Sequence, residues 1–437
     1  MENKKFSGWT QLLLVSIITG MTAQYGTSAV SLTNTVMKNG AQVAMTATAF
    51  GLGSTLYSLM QGPPQMLVGA WIKKQGTRKV FLTGIPFLIL VGLGFSNLLN
   101  TDVSYILVFG VFWGLSYMLT SQIATQTLIN NWFIQRRGQA MNLMTAITCV
   151  FSFISPFIIQ WVLNSEFSGG NFKFGWYSIG VFGILALPFV FFLKDRPEDV
   201  GQYPDGVEPG KVLETKNAGK VSTIYKVGAD VKTTTVKQAL KKPVFWAIML
   251  CAGLGFAVSM VGFAFSSIHF MEKGYELSVI TASMSWSSVV RLLFMLVIAK
   301  VSDRIEPGYL LGISLAAYGA ATLLAANPGG SIVIIYVYRF LAAIYTACLI
   351  PVLATMLANI FGRESFPTLQ GIVLTVGGLM SATTGTIGGM IADANNGSYS
   401  AAFVAYGITC LVACAIAVFG VGLPCARKYK AERLAHN

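Results

Sequence analysis

The chain has 437 residues, of which 54% are hydrophobic and only 11% charged. Soluble domains carry about a quarter charged residues, so a water-facing globular fold is excluded and the bilayer is the solvent that fits. The formal net charge of +13 would suit a nucleic-acid binder. That reading fails because the cations sit in short loops between apolar runs.

A membrane-spanning helix needs about 20 mainly apolar residues. Runs of that kind are predicted at 10–36, 43–70, 80–99, 104–129, 139–163 and 175–193. The first resembles a signal peptide at its Lys4-Lys5 start, but it is too long and lacks a cleavage site, so it reads as a helix. Gly62-Pro63-Pro64 interrupts the second run. A polar segment, 194–242, follows. Six further runs are predicted at 244–270, 278–300, 308–326, 331–359, 367–391 and 400–424. The expected fold is all-α and integral to the membrane: twelve helices in two pseudo-symmetric bundles, 1–193 and 243–437, joined by a cytoplasmic loop, 194–242.

Lys and Arg fall almost entirely in alternate loops. Only Lys38, Lys173 and Lys273 lie on the other side. The positive-inside rule then places both termini in the cytoplasm, in the plasma membrane. The halves echo one another. Gly69-Ala-Trp-Ile-Lys73-Lys74-Gln-Gly76-Thr-Arg78-Lys79 follows the second run, and Ala299-Lys-Val-Ser-Asp303-Arg304 follows the eighth. Parallel repeats of this kind are a transporter architecture with the substrate site at the repeat interface.

The loop after the second run resembles the signature of the major facilitator superfamily. Gly69, Lys74, Gly76, Arg78 and Lys79 match it. Lys73 stands where the family has an Asp that latches the inward gate, and a Lys cannot accept those bonds. Asp303-Arg304 retains the acidic copy in the second half. Three further segments resemble the oxalate/formate antiporter and monocarboxylate transporter branch. They are Asn131-Trp132-Phe133-Ile-Gln-Arg136-Arg137-Gly138-Gln-Ala140-Met141, then Arg196-Pro197-Glu198-Asp199-Val200-Gly201-Gln-Tyr203-Pro204-Asp205-Gly206, and Lys242-Pro243-Val-Phe245-Trp246. Gln24-Tyr25 resembles a pair that lines the anion site of oxalate/formate exchangers.

Ionisable residues inside a span cost at least about 2.5–3.5 kcal/mol and are functional candidates. Arg291 lies in the middle of the eighth run, and Arg339 lies in the tenth, nearer its outer end. A guanidinium donates two parallel bonds to a carboxylate and stays protonated. The resemblance makes Arg291 the anion ligand, although it stands twelve residues before Asp303, further than the family spacing. Arg339 is a possible second cation, with snorkelling or a structural bond as the alternative. Gln122 and Gln126 share a helix face and, with Tyr345, complete the candidate substrate set. The exchangers carry a Lys in their eleventh helix, and 368–391 has none, which favours a monocarboxylate over a dicarboxylate.

No Asp or Glu lies deep in a span, so exchange or facilitated diffusion is expected over proton symport. His269, near an outer helix end, reads as a surface residue. Six cysteines show no C-x-x-C spacing, and no cofactor or metal site is expected. G-x-x-x-x-G-K-[ST], G-x-S-x-G and H-E-x-x-H are all absent, arguing against ATP coupling and enzymatic activity. The sequence thus points to a monomeric carrier of a small organic anion, contacting membrane lipid and no nucleic acid. A carrier or exporter of larger bile-acid-like anions or drugs is the alternative, and a non-transporting receptor a more distant one.

Overall fold

The structure is a computed structural model, and it describes residues 6–39, 43, 45–61, 64–120, 122–134, 136–207, 235–301, 305–361 and 366–425. All regular structure among the described residues is helical. The chain forms the twelve-helix architecture expected from hydropathy. Ten helical stretches are long and apolar enough to cross a membrane, from Thr77–Leu98 to Ser400–Cys425. The other two spans are less uniform. The first comprises Gly8–Thr19, a π-helical turn at Gly20–Gln24, and Tyr25–Asn39. The second comprises Ala47–Met60 and Gln65–Gln75, the latter preceded by Pro64, which lacks an amide donor, while Gly62 and Pro63 lie outside the described residues.

Contacts divide the chain into two compact units. One holds Met1–Met45 and Leu59–Ala218, and the other holds Thr46–Ser58 and Gly219–Asn437. In the first unit, the core joins Leu12, Val15 and Ile18 of the first span to Phe81 and Ile85 of the third and to Leu128 and Trp132 of the fourth. Burying such side chains supplies the packing that holds a membrane bundle once its backbone bonds are satisfied. Further π-helical turns at Leu90–Gly94 and Ile106–Trp113 interrupt the third and fourth spans.

In the second unit, close approaches depend on glycine. A Cβ at Gly51 would stand 2.2 Å from the carbonyl oxygen of Gly385, and one at Gly389 would stand 2.5 Å from that of Ala47. Thr55 Oγ1, on the same face, donates to the Ala382 carbonyl at 2.5 Å. The Asp393 carboxylate caps the helix that starts at Ala47. It accepts from the Ala47 amide at 2.9 Å and from the Thr48 amide at 2.8 Å. The small residues of the eleventh span therefore divide: Gly377, Gly385, Gly388 and Gly389 meet a neighbour, whereas Gly371 and Gly378 face open space. Small faces let membrane helices approach closely.

Candidate functional site

In the first unit, the π-helical turn ends on Gln24, and Tyr25 begins the next helix. A π turn shifts the register of the side chains that follow it and recurs at functional positions. Gln24 Oε1 accepts from Ser152 Oγ of the fifth span at 2.8 Å. Tyr25 is fully buried, its ring stacked on Phe182 of the sixth span with centroids 3.7 Å apart. Gln126 is half-buried in the helix Gln122–Trp132. The Gln122 side chain lies outside the described residues.

The loop after the second span and the segments 131–141 and 194–207 converge at one end of this unit. Gly76 turns the chain between the second and third spans with φ +85°, and a Cβ there would strike the Asp195 carboxylate. Asp195 Oδ1 accepts from the Arg78 amide at 2.8 Å. A carboxylate from beyond the sixth span thus caps this loop, while Lys73, Lys74 and Gly69 are exposed. Burial raises the Asp195 carboxyl above its ordinary range, and the amide bonds from Arg78 and Thr77 offset part of that.

Asp205 closes the fourth–fifth loop in the same way. It sits at φ 59° and is 6% exposed, and it accepts from the Ile134 amide at 2.8 Å and the Arg136 amide at 3.2 Å. Gln202 Oε1 accepts from the Ser7 amide at 3.0 Å, and Trp132 Nε1 donates to the Lys194 carbonyl at 2.9 Å. Residues 194–207 therefore form a strap across the start of the first span and two loops. The Arg137 side chain, and Asp303 and Arg304 altogether, lie outside the described residues.

In the second unit, Arg339 is 7% exposed in the helix Ile332–Phe361. Enclosure by protein replaces the snorkelling considered for it. Its Nη2 donates to Ser267 Oγ at 3.1 Å, its Nε has no hydrogen-bond partner among the described residues, and its guanidinium lies 5.9 Å from the Tyr338 ring. Among the described residues no carboxylate lies within ion-pair distance of it. Tyr338 and Tyr318 approach at 3.3 Å between hydroxyls, and Tyr318 stacks on Tyr345 with centroids 5.0 Å apart. Tyr345 is fully buried, its hydroxyl against Gly255. The structure thus groups Arg339 and Tyr345 through two tyrosines that the sequence did not single out. Arg291 is half-buried in the helix Leu277–Val301. Ser267 was also missed. Its signal, a Ser266-Ser267-Ile-His269 polar run at the end of an apolar span, is weak because serine is common in membrane helices.

The chemistry this arrangement permits is binding. There is a desolvated cation with donor capacity to spare beside neutral hydroxyls, with no nucleophile–base pair, and no metal-ligand cluster among the described residues. Twelve apolar helices with such a group inside define a polytopic carrier. The profile of the Major Facilitator Superfamily matches residues 8–308 and 277–434, and the chain belongs to that family. It is a membrane transporter and not an enzyme. Solved structures share the fold. A nucleoside transporter, NupG, aligns with TM-score 0.69 and 13% identity, over 93% of this chain and 98% of that one. A D-xylose–proton symporter gives 0.65 and 14%, over 94% and 97%. A bacterial homolog of the human lysosomal transporter Spinster gives 0.66 and 14%, over 96% of each chain. No curated protein sequence gives a significant match.

Proposed function

We propose that this transporter carries an organic anion, a small monocarboxylate, by alternating access, with Arg339 as the fixed cation that binds it. The observation behind this is the enclosed Arg339 guanidinium, which spends one bond on a neutral serine and retains an unused Nε–H. Burying a cation without a counter-charge costs several kcal/mol. A substrate carboxylate offsets that cost and takes two parallel bonds. Arg291, in the same unit, is the second ligand on this reading, with Tyr345 as a neutral contact. The resemblance of 131–141 and 196–206 to the oxalate/formate and monocarboxylate branch supports the same substrate class. The Lys and Arg bias supports a plasma-membrane orientation with both ends inside.

Uptake into proteoliposomes tests this with labelled monocarboxylates, dicarboxylates, bile acids, a nucleoside and a pentose. Monocarboxylate uptake is expected in the wild type, with at least a tenfold loss in Arg339→Lys, because an ammonium cannot reproduce the fork. Uptake of only the neutral solutes would overturn the anion reading. Full activity in Arg339→Lys, with loss in Arg291→Ala, would move the cation's role to the eighth span.

A further inference from the structure

The short helix Ser266–Glu272 carries Ser267, which holds Arg339, and two residues later His269. His269 is fully buried, which overturns the surface role expected for it. Its ring stacks on Phe403 of the twelfth span with centroids 4.2 Å apart. Nε2 lies 2.8 Å from the carbonyl oxygen of Ala325, at the end of the ninth span. A carbonyl oxygen only accepts, so Nε2 carries the hydrogen and the basic lone pair is on Nδ1. Nδ1 faces Glu272, whose Oε2 is 4.0 Å away.

Glu272 is itself a link. Its carboxylate accepts from Ser398 Oγ at 2.5 Å and from the Tyr399 amide at 3.1 Å, the two residues that lead into the helix Ser400–Ala415. Lys273 Nζ stands 3.8 Å from its other oxygen. The Glu272 side chain is 23% exposed, which gives a proton a route to the surface.

We infer that His269 and Glu272 form a proton-operated clamp between the end of the seventh span and the start of the twelfth. A proton on Nδ1 converts the contact with Glu272 into a charge-assisted N–H···O bond. Without it, Glu272 holds the twelfth span through the Ser398 and Tyr399 bonds, with Lys273 alongside. The surrounding charged and titratable groups are Lys273 on the same segment, Tyr338 and Arg339 of the tenth span, Tyr399 of the twelfth, and Asp393 of the eleventh. Arg339 is turned to Ser267 and Asp393 to the Ala47 and Thr48 amides, and Glu272 Oε2 lies 4.0 Å from the ring's Nδ1.

The clamp is independent of what the protein carries, and its test needs no substrate. Melting temperatures of the purified full chain are measured from pH 8 to pH 5.5 for wild type, His269→Gln and Glu272→Gln. A glutamine amide can still donate to Ala325 but does not titrate. The wild type is expected to gain about 2–4 °C on His269→Gln as pH falls through the histidine range. Glu272→Gln, which retains the histidine, is expected to fall behind the wild type over the same interval. Parallel wild-type and His269→Gln curves would overturn the clamp, as would a wild type that loses ground at low pH. If His269→Gln does not fold, Glu272→Gln decides alone: a pH-independent offset from the wild type would overturn it.

Discussion

The strap end of the first unit and the tyrosine–arginine cluster of the second treat buried charge in opposite ways. Asp195 and Asp205 each meet backbone amides that loops would otherwise leave open. Those carboxylates are spent on construction. Arg339 meets one neutral hydroxyl and retains donor capacity. A group built into a scaffold stabilises it, whereas a group kept for a ligand costs stability until the ligand arrives. Substitutions on the two sides should therefore move stability and transport in different directions.

The largest stability effect is expected at Asp205. Asp205→Ala leaves the Ile134 and Arg136 amides without their acceptor and puts alanine at φ 59°. A loss of about 1–3 kcal/mol should appear as a lower melting temperature. An unchanged melting temperature would remove the strap from the scaffold. Gly385→Val comes next, since its side chain would meet the Gly51 carbonyl oxygen, 2.5 Å from an added Cβ. Overpacking of this kind costs about 1–3 kcal/mol. Gly378→Val, on the same helix but facing open space, should cost under about 0.5 kcal/mol. Equal losses at the two glycines would mean that helix propensity, not packing, decides.

The smallest effect is a slope. Burial raises the Asp195 carboxyl above the ordinary carboxylate range. A carboxyl raised in the folded state contributes stability below its unfolded value, and that contribution is lost as pH rises through the folded one. The melting temperature of the wild type should therefore fall relative to Asp195→Asn as pH increases upward from about 4. A constant offset between the two curves would contradict the raised value.

Hydropathy made the twelve spans legible because bilayer thickness dictates length. It did not show the π-helical turn before Tyr25, since a register change leaves composition unaltered. Arg339 and Tyr345 were legible as an intramembrane charge and a nearby phenol. Tyr318 and Tyr338, which join them, were not, because the contact between the ninth and tenth spans is tertiary. Asp195, more than a hundred residues from the 69–79 loop it caps, could not be assigned to that loop from spacing. His269 was read as exposed because a lone histidine near a span end commonly is. The fold encloses it between Phe403 and Ala325.

The most direct test of Arg339 as a cation reserved for an anion is the melting temperature of wild type and Arg339→Leu, each with and without a transported monocarboxylate. Arg339→Leu should be at least as stable as the wild type without ligand, and the carboxylate should raise only the wild type. A destabilised Arg339→Leu that still gains the full carboxylate shift would make Arg339 a structural residue and contradict its role as the anion's ligand.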